Sequence, residues 1–478
     1  MRAGTVVGIE QGGAVLTIAG EGERPERAEL VGARARVVAR LSGRGATWKA
    51  RFPLHASRWG GAELPLPSGE YRIEIAGVEV RGSVPMAIDA DMRVAVADDR
   101  VTVGPPLDPS IETPEAVAAL ERRYAVHAAP LEDAVFFESF YGRVAGDNPL
   151  AIDREIARRL PGVTRYWSVV DLSVEVPEGA VPVVEGSGAW WRARSVSRLL
   201  VVNDWLRRRY VPRTGQRVLQ TWHGTPLKRL ALHRGGFQPR RWGAVLKESR
   251  RWDVLLAQNR FAARILSRAY AFLGRPIWVE GYPRNDLLVR GDEGATRRAL
   301  GIADDERVIL YAPTWRDDRD AMVDFVDPIA LAEQTRSVVL VRGHSRTLIP
   351  GQNAHGPRVI DVTGYADMSR LMLAADALVT DYSSVMFDFT ITGKPLYFLV
   401  PDLEHYRGAL RGFYFDLAER APGPIVRSQD ELVAAFDRDP ADYADKYAEW
   451  RRVFNARDDG HAAERVVARL IDQRFLSR

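Results

Sequence analysis

Cysteine is missing from all 478 residues. Its absence excludes disulfides, thiolate zinc sites and a cysteine nucleophile, and it agrees with a reducing compartment. Long apolar runs are missing too. Stretches such as LLVV at 199 to 202 and PLYFLV at 395 to 400 fall far short of the roughly 18 to 20 residues that a membrane-spanning helix needs. The N-terminus is interrupted by Glu10 and by Gln11-Gly12-Gly13, so it lacks the apolar core of a secretory signal, and a cytoplasmic product is expected. Internal repeats and low-complexity tracts are also absent. Any chemistry must therefore rest on His, Ser, Thr, Asp, Glu, Arg and Lys.

A content of 46% hydrophobic and 27% charged residues is that of globular protein, and the length suits two or three domains, each with its own core. The formal charge of +4 favours anionic partners without choosing among nucleic acid, phospholipid and nucleotide phosphate.

Residues 1–105 read as short strands. EYRIEIAGVEVRG alternates Tyr71, Ile73 and Ile75 with Arg72 and Glu74, as a half-buried strand does. A small all-β, sandwich-like accessory domain is expected, followed by a linker over 106–129 marked by Pro105, Pro106 and Pro109. From about 130, apolar β-like runs alternate with amphipathic helical stretches, the pattern of a parallel α/β sheet. Two blocks fit, 130–290 and 291–478, the second ending in helices. The expected architecture is α/β, with two Rossmann-like domains facing one another across a cleft.

In the second block, polar groups recur where apolar strands end: Pro313-Thr314, Arg342-Gly343-His344 and Asp381-Tyr382-Ser383-Ser384. Open α/β sheets bind ligands beyond the carboxyl ends of their strands. The hydroxyls of Ser383 and Ser384, with the free amides of the helix that follows, suit a phosphate, and Asp388 falls near the same face. Read alone, Ser-Ser is also an ordinary helix cap and Asp388 a solvated acid. Arg342 offers a planar cationic fork for a pyrophosphate, with His344 on the same side of an extended chain. In the first block, one strand ends in Thr221-Trp222-His223-Gly224-Thr225-Pro226. Gly224 permits close backbone approach there, Pro226 can open a helix, and His223 sits on a tight turn as a candidate general base.

A strongly basic segment follows. Arg240, Arg241, Lys247, Arg250 and Arg251 are interleaved with Phe237, Trp242 and Trp252, against the single acid Glu248. Cations mixed with aromatics suit an anionic membrane surface; the same composition also fits nucleic acid or a solvated helix face. Its place beside His223 favours delivery of a membrane-held acceptor. The acidic run Asp317-Asp318-Arg319-Asp320 reads as a solvated loop, and no metal or cofactor is expected.

Taken in order, FESFYGRVAGDNP at 137 to 149, TWHGTPLKRL at 221 to 230, GYPRNDLL at 281 to 288, YAPTWRD at 311 to 317, RGHS at 342 to 345 and TDYSSVMFDF at 380 to 389 resemble the CDP-glycerol glycerophosphotransferase family of teichoic-acid synthesis. KPLYFLVPD at 394 to 402 and RGFYFD at 411 to 416 continue the series. The resemblance implies a GT-B-like fold and a CDP-glycerol or CDP-ribitol donor, bound mainly by the second half. It further implies a lipid-linked glycan acceptor at the cytoplasmic membrane face, CMP as the product and no nucleic-acid partner. By motif match it places His223 and His344 in catalysis. Around the donor it places Trp222, Gly224, Thr225, Pro226, Arg284, Pro313, Thr314, Arg342, Ser383, Ser384 and Asp388. The rival readings are a GT-B glycosyltransferase using a nucleotide sugar and a noncatalytic membrane- or polymer-binding protein.

Overall fold

The computed structural model describes residues 5–126, 129–236, 238–314, 325–343, 356–403 and 412–477. In the N-terminal stretch, alternation of apolar and polar residues makes antiparallel strands. Thr47–Pro53 buries Trp48, Ala50 and Phe52 and exposes the residues between them, and Gly69–Ile75 does the same with Tyr71, Ile73 and Ile75. The two strands lie in a four-stranded and a six-stranded sheet, and both sheets bury residues in one shared core. The stretch expected to be a linker contains the helix Pro114–Ala125, capped by Thr113, and it packs Leu120 and Tyr124 against the next core.

Beyond it the strands turn parallel and lose their alternation, because helices cover both faces. The first parallel sheet consists of β1 (Glu132–Glu138), β2 (Thr164–Val169), β3 (Val181–Val184), β4 (Ser197–Val202), β5 (Arg217–Gln220), β6 (Val254–Ala257) and β7 (Ile277–Val279), in the order 3-2-1-4-5-6-7. The second consists of β8 (Val308–Ala312), β9 (Val338–Val341), β10 (Val359–Asp361), β11 (Ala377–Thr380), β12 (Leu396–Leu399) and β13 (Ile425–Val426), in the order 10-9-8-11-12-13. Each sheet winds outward from its first strand in both directions, the doubly wound arrangement that leaves a crevice at the carboxyl ends of the central strands.

The covering helices follow from local sequence. Asn259 caps Arg260–Ala269 by accepting from the Ala262 amide, and Ala262, Ile265, Leu266 and Ala269 are the residues it buries, a one-sided stripe at helical spacing. The C-terminal helices do not both stay with the second half, as the sequence suggested. Ala444–Phe454 buries Trp450 and Phe454 in the second half's core. Ala462–Asp472 instead returns to the first half, where Val466, Val467 and Leu470 pack with Ile152 and Ile156.

Candidate active site

The loop after β5 carries His223. Trp222 has φ 54°, a conformation costly for a bulky residue. Its amide is held by Gln220 Oε1 at 2.9 Å, and its carbonyl accepts from Asn148 Nδ2 at 3.2 Å. This kink turns the half-buried His223 ring onto the Trp222 indole, with centroids 4.6 Å apart. His223 Nδ1 lies 2.7 Å from the Asn203 carbonyl oxygen at the end of β4. A carbonyl can only accept, so Nδ1 carries the proton and Nε2 is left with the basic lone pair. Asn203 is completely buried, and its Oδ1 also accepts from the Phe140 amide at 2.9 Å. It thus ties the loop after β1 to the histidine.

Two glycines let the halves touch. A Cβ built on Gly224 would lie 2.6 Å from Ser384 Oγ, in the loop after β11, and one on Gly146 would lie 3.4 Å from the Ala366 carbonyl oxygen, beyond β10. Ser384 makes no capping bond to the helix Val385–Phe389; the capping bond comes from Ser383, whose Oγ accepts from the Val385 amide, and the Ser384 hydroxyl meets the His223 loop. Thr225 and Pro226 are buried. Thr225 Oγ1 donates to Gln258 Oε1 at 2.6 Å and accepts from Asn259 Nδ2 at 2.9 Å, and Pro226 opens no helix. Instead the chain after it pairs with the second half: Tyr414 N donates to the Leu227 carbonyl at 2.9 Å and Arg229 N to that of Gly412 at 3.1 Å. Two opposing segments already share these amides and carbonyls, so a helical start would have left them unpaired.

Arg284 fastens the seam. Its Nη1 donates to Asp147 Oδ2 at 2.6 Å and to the His223 carbonyl at 3.0 Å, while Nη2 donates to Asp388 Oδ2 at 2.6 Å. Burial works against its charge, but Asp147 and Asp388 outweigh that and hold it above the ordinary arginine range. Asp388 Oδ1 also accepts from Gln258 and Asn285. Asp388 is therefore a buried joint rather than a solvated first-turn acid, and Arg284 reaches the site as its ion-pair partner. Behind them lies Asp458, whose carboxyl burial pushes up to about 6 although the Tyr282 amide, Gln258 and Asn455 stabilise its charge.

Along the second sheet, Thr314 N, next to Pro313, donates to Asp381 Oδ1 at 2.8 Å. Ser383 Oγ is 3.5 Å from the Val385 amide. Arg342 begins the loop after β9, and its Nη1 donates to the carbonyls of Val362 and Tyr365 at 2.7 and 2.5 Å. Burial lowers it to about 10, opposed by Asp361 and Asp367, so it stays cationic at neutral pH. His344 and the Asp317 to Asp320 run lie outside the described residues.

The basic segment splits into two groups. Arg240, Trp242, Lys247 and Arg250 are exposed on and just beyond the helix Pro239–Ser249. Arg251 and Trp252 are structural: Glu248 accepts from Arg251 Nη1 at 2.9 Å and from Trp252 Nε1 at 3.2 Å, and Trp252 is buried. Arg241 Nη2 donates to the carbonyls of Arg234, Gly235 and Gly236, which folds the loop before the helix. Phe237 lies outside the described residues. Sequence reasoning missed Asn203 and Asp458 as contributors, and Asp147 beyond its presence in a matching segment.

Residues 122–472 match the family model of CDP-glycerol:poly(glycerophosphate) glycerophosphotransferase. The chain is 35% identical over 377 residues to a teichoic acid glycerol-phosphate transferase of Staphylococcus aureus (strain NCTC 8325 / PS 47), covering 70% of this chain and 92% of the relative. It is 36% identical over 326 residues to a teichoic acid poly(glycerol phosphate) polymerase of Bacillus subtilis (strain 168), of which it spans 43%. Among solved structures it is similar to the wall teichoic acid polymerase TagF, with a TM-score of 0.70 and 30% identity over 77% of this chain and 95% of that one. A histidine-to-asparagine variant of that polymerase, soaked with CDPG, aligns equally well. With nearly all of its two parallel-sheet halves matched, this chain is a transferase and belongs to the CDP-glycerol:poly(glycerophosphate) glycerophosphotransferase family.

Proposed function

We propose that the enzyme transfers a glycerol-phosphate or ribitol-phosphate unit from its CDP-activated form to a hydroxyl of a lipid-linked glycan, with His223 as general base. The observation that carries this reading is the contact of the His223-Gly224 turn with Ser384, combined with the proton fixed on Nδ1 by Asn203. A basic Nε2 then sits beside the hydroxyl-lined strand end of the opposite sheet. The GT-B-like reading, with the donor in the second half and the acceptor entering past the first, is supported by the two doubly wound sheets that touch at their carboxyl-end loops.

In the proposed step, Nε2 takes the proton of the acceptor hydroxyl as its oxygen bonds to the donor's β-phosphorus. The bond from that phosphorus to the oxygen bridging to CMP breaks, and CMP leaves with the electron pair. Arg342, Ser383 and Ser384, with His344, would hold the diphosphate. Pro313 and Thr314 border it, and Arg284 and Asp388 keep the two halves in register. Phosphoryl transfer draws mainly on positioning and electrostatic stabilisation. The exposed Arg240, Trp242, Lys247 and Arg250 support peripheral binding at the cytoplasmic membrane face, where each cation near an anionic surface contributes about 1 kcal/mol.

The test is to incubate the protein with CDP-glycerol or CDP-ribitol and a lipid-linked acceptor, then analyse nucleotide and polymer by mass spectrometry. CMP release with an added mass of one polyol phosphate per step is expected. Turnover of a nucleotide sugar with release of a nucleoside diphosphate would replace this reading.

A further inference from the structure

The N-terminal antiparallel sheets lie outside the matched region, yet one of their hairpins reaches both parallel-sheet halves. It joins His55–Ser57 to Glu63–Pro65. At its tip the Gly61 amide donates to the Arg58 carbonyl at 2.9 Å. Trp59 and Gly60, between them, have φ 54° and 71°. Two successive positive φ values make a tight turn that suits Asn-Gly or Gly-Gly. A tryptophan at the first of these positions is strained, and such strain persists only where surrounding contacts enforce it.

The contacts are these. A Cβ on Gly61 would lie 2.8 Å from Glu175 Oε2, beyond β2 in the first half. Ser57 Oγ donates to the Gly61 carbonyl at 2.7 Å. The Trp59 ring meets the Tyr365 ring edge to face, centroids 5.6 Å apart, and packs on the second half's core. Tyr365 closes a turn in which its amide donates to the Val362 carbonyl at 3.0 Å. That turn presents the Val362 and Tyr365 carbonyls to Arg342 Nη1, and Thr363 Oγ1 accepts from the Gly343 amide at 3.1 Å. The turn on which Trp59 presses therefore grips the first two residues of the Arg342-Gly343-His344 motif.

We infer that Trp59 is a positioning residue for donor binding: the N-terminal hairpin braces the 362–365 turn, and through it sets the Arg342 guanidinium toward the donor diphosphate. This rests on the reading of Arg342 as a diphosphate ligand. The ring pair carries the inference, so its loss should be felt at the donor as well as in the packing that Trp59 and Tyr365 share.

The experiment measures CDP-glycerol binding to the full-length chain by calorimetry, with thermal melting alongside. Trp59→Ala should weaken binding about three- to tenfold, the scale of an aromatic pair, in protein that still unfolds in one cooperative transition above the titration temperature although the lost packing lowers its melting midpoint, and Trp59→Phe should restore most of the affinity. Tyr365→Leu approaches the same contact from the other half without touching the hairpin. It should match Trp59→Ala, and the double variant should be no weaker than either single one. Wild-type affinity in Trp59→Ala or Tyr365→Leu, with Arg342→Ala impaired, would overturn the brace and leave the donor reading standing. Wild-type affinity in Arg342→Ala would overturn the donor reading and the brace together.

Discussion

The carboxyl-end edges of the two parallel sheets are built in different ways. Around the loops of the first, Phe140, Tyr141, Asp147 and Trp222 hold φ values of 46°, 59°, 63° and 54°. At the carboxyl edge of the second, no described residue other than glycine has a positive φ. Positions of this kind cost on the order of 1 to 3 kcal/mol each. Here buried amides offset the cost: Asn203 on Phe140, Gln220 and Asn148 on Trp222. The first edge is thus set before any ligand arrives, and what it fixes is the orientation and proton of His223. Among the described residues, the second edge is built from turns and short helices whose polar groups are hydrogen-bonded along ordinary backbone, as at Thr314 and Arg342. On the proposed mechanism, the first edge would carry the chemistry and the second would dock the donor.

The most direct way to break that contrast is to injure each edge separately. His223→Ala should lower transfer by about 10² to 10⁴, the usual worth of a general base, with CDP-glycerol affinity unchanged. Arg342→Ala should raise the dissociation constant for CDP-glycerol. Rates of CMP release and a calorimetric titration separate the two. A His223→Ala protein that binds poorly but turns over normally once saturated would reverse the assignment of the edges.

The seam that keeps the edges in register can be cut next. Arg284 is largely enclosed with Asp147 and the buried Asp388, their side chains 11%, 7% and 3% exposed. Arg284→Met strands two carboxylates and should cost about 3 to 5 kcal/mol, read from urea unfolding. A smaller effect comes from Asp458. Its folded value of about 6 lies above the usual carboxyl value of about 3.9, so its contribution to stability is fully present below pH ~4 and is lost as pH rises through ~6. Between pH ~4 and pH ~7 this one group should lower stability by about 2 to 3 kcal/mol. Asp458→Asn should flatten that part of the urea-midpoint profile, and an unaltered slope would assign it elsewhere.

Much of this arrangement was legible in the sequence, and the remainder for definite reasons was not. Unbroken apolar runs such as VILYA (308–312) and VVLV (338–341) announce buried parallel strands, and Ser384, in a polar stretch that ends such a run, meets the first half. The Gly224 signal for close approach was correct, its neighbour being Ser384. What spacing could not supply was the state of Asp388. In a helix of five residues it looks like a solvated acid, and its partner Arg284 is 104 residues away in the chain. Asn203 was invisible for a related reason: its useful group toward His223 is a backbone carbonyl, which any residue carries. The last helix reads as amphipathic wherever it packs, and nothing local directs Val466 and Val467 back to the first half.

The smallest effects belong to the helix Pro239–Ser249, on the side of the preset edge, where the six residues expected to bind membrane divide by burial. Arg240, Lys247 and Arg250 are exposed, and Trp242 is 37% exposed. Arg251 is spent on Glu248 and the Leu206 carbonyl. If this face docks on anionic lipid, replacing any one of the three exposed cations by glutamine should weaken partition onto phosphatidylglycerol vesicles by about fivefold, equivalent to about 1 kcal/mol. The loss should shrink as salt rises, because exposed charges are screened. Arg251→Gln should leave partition near wild type and lower stability instead, since it uncovers the buried Glu248. A cosedimentation series in which Arg251→Gln is the most damaging of the four would mean that the helix meets lipid through a different face, and would remove the support that its exposed cations lend to the proposed peripheral binding.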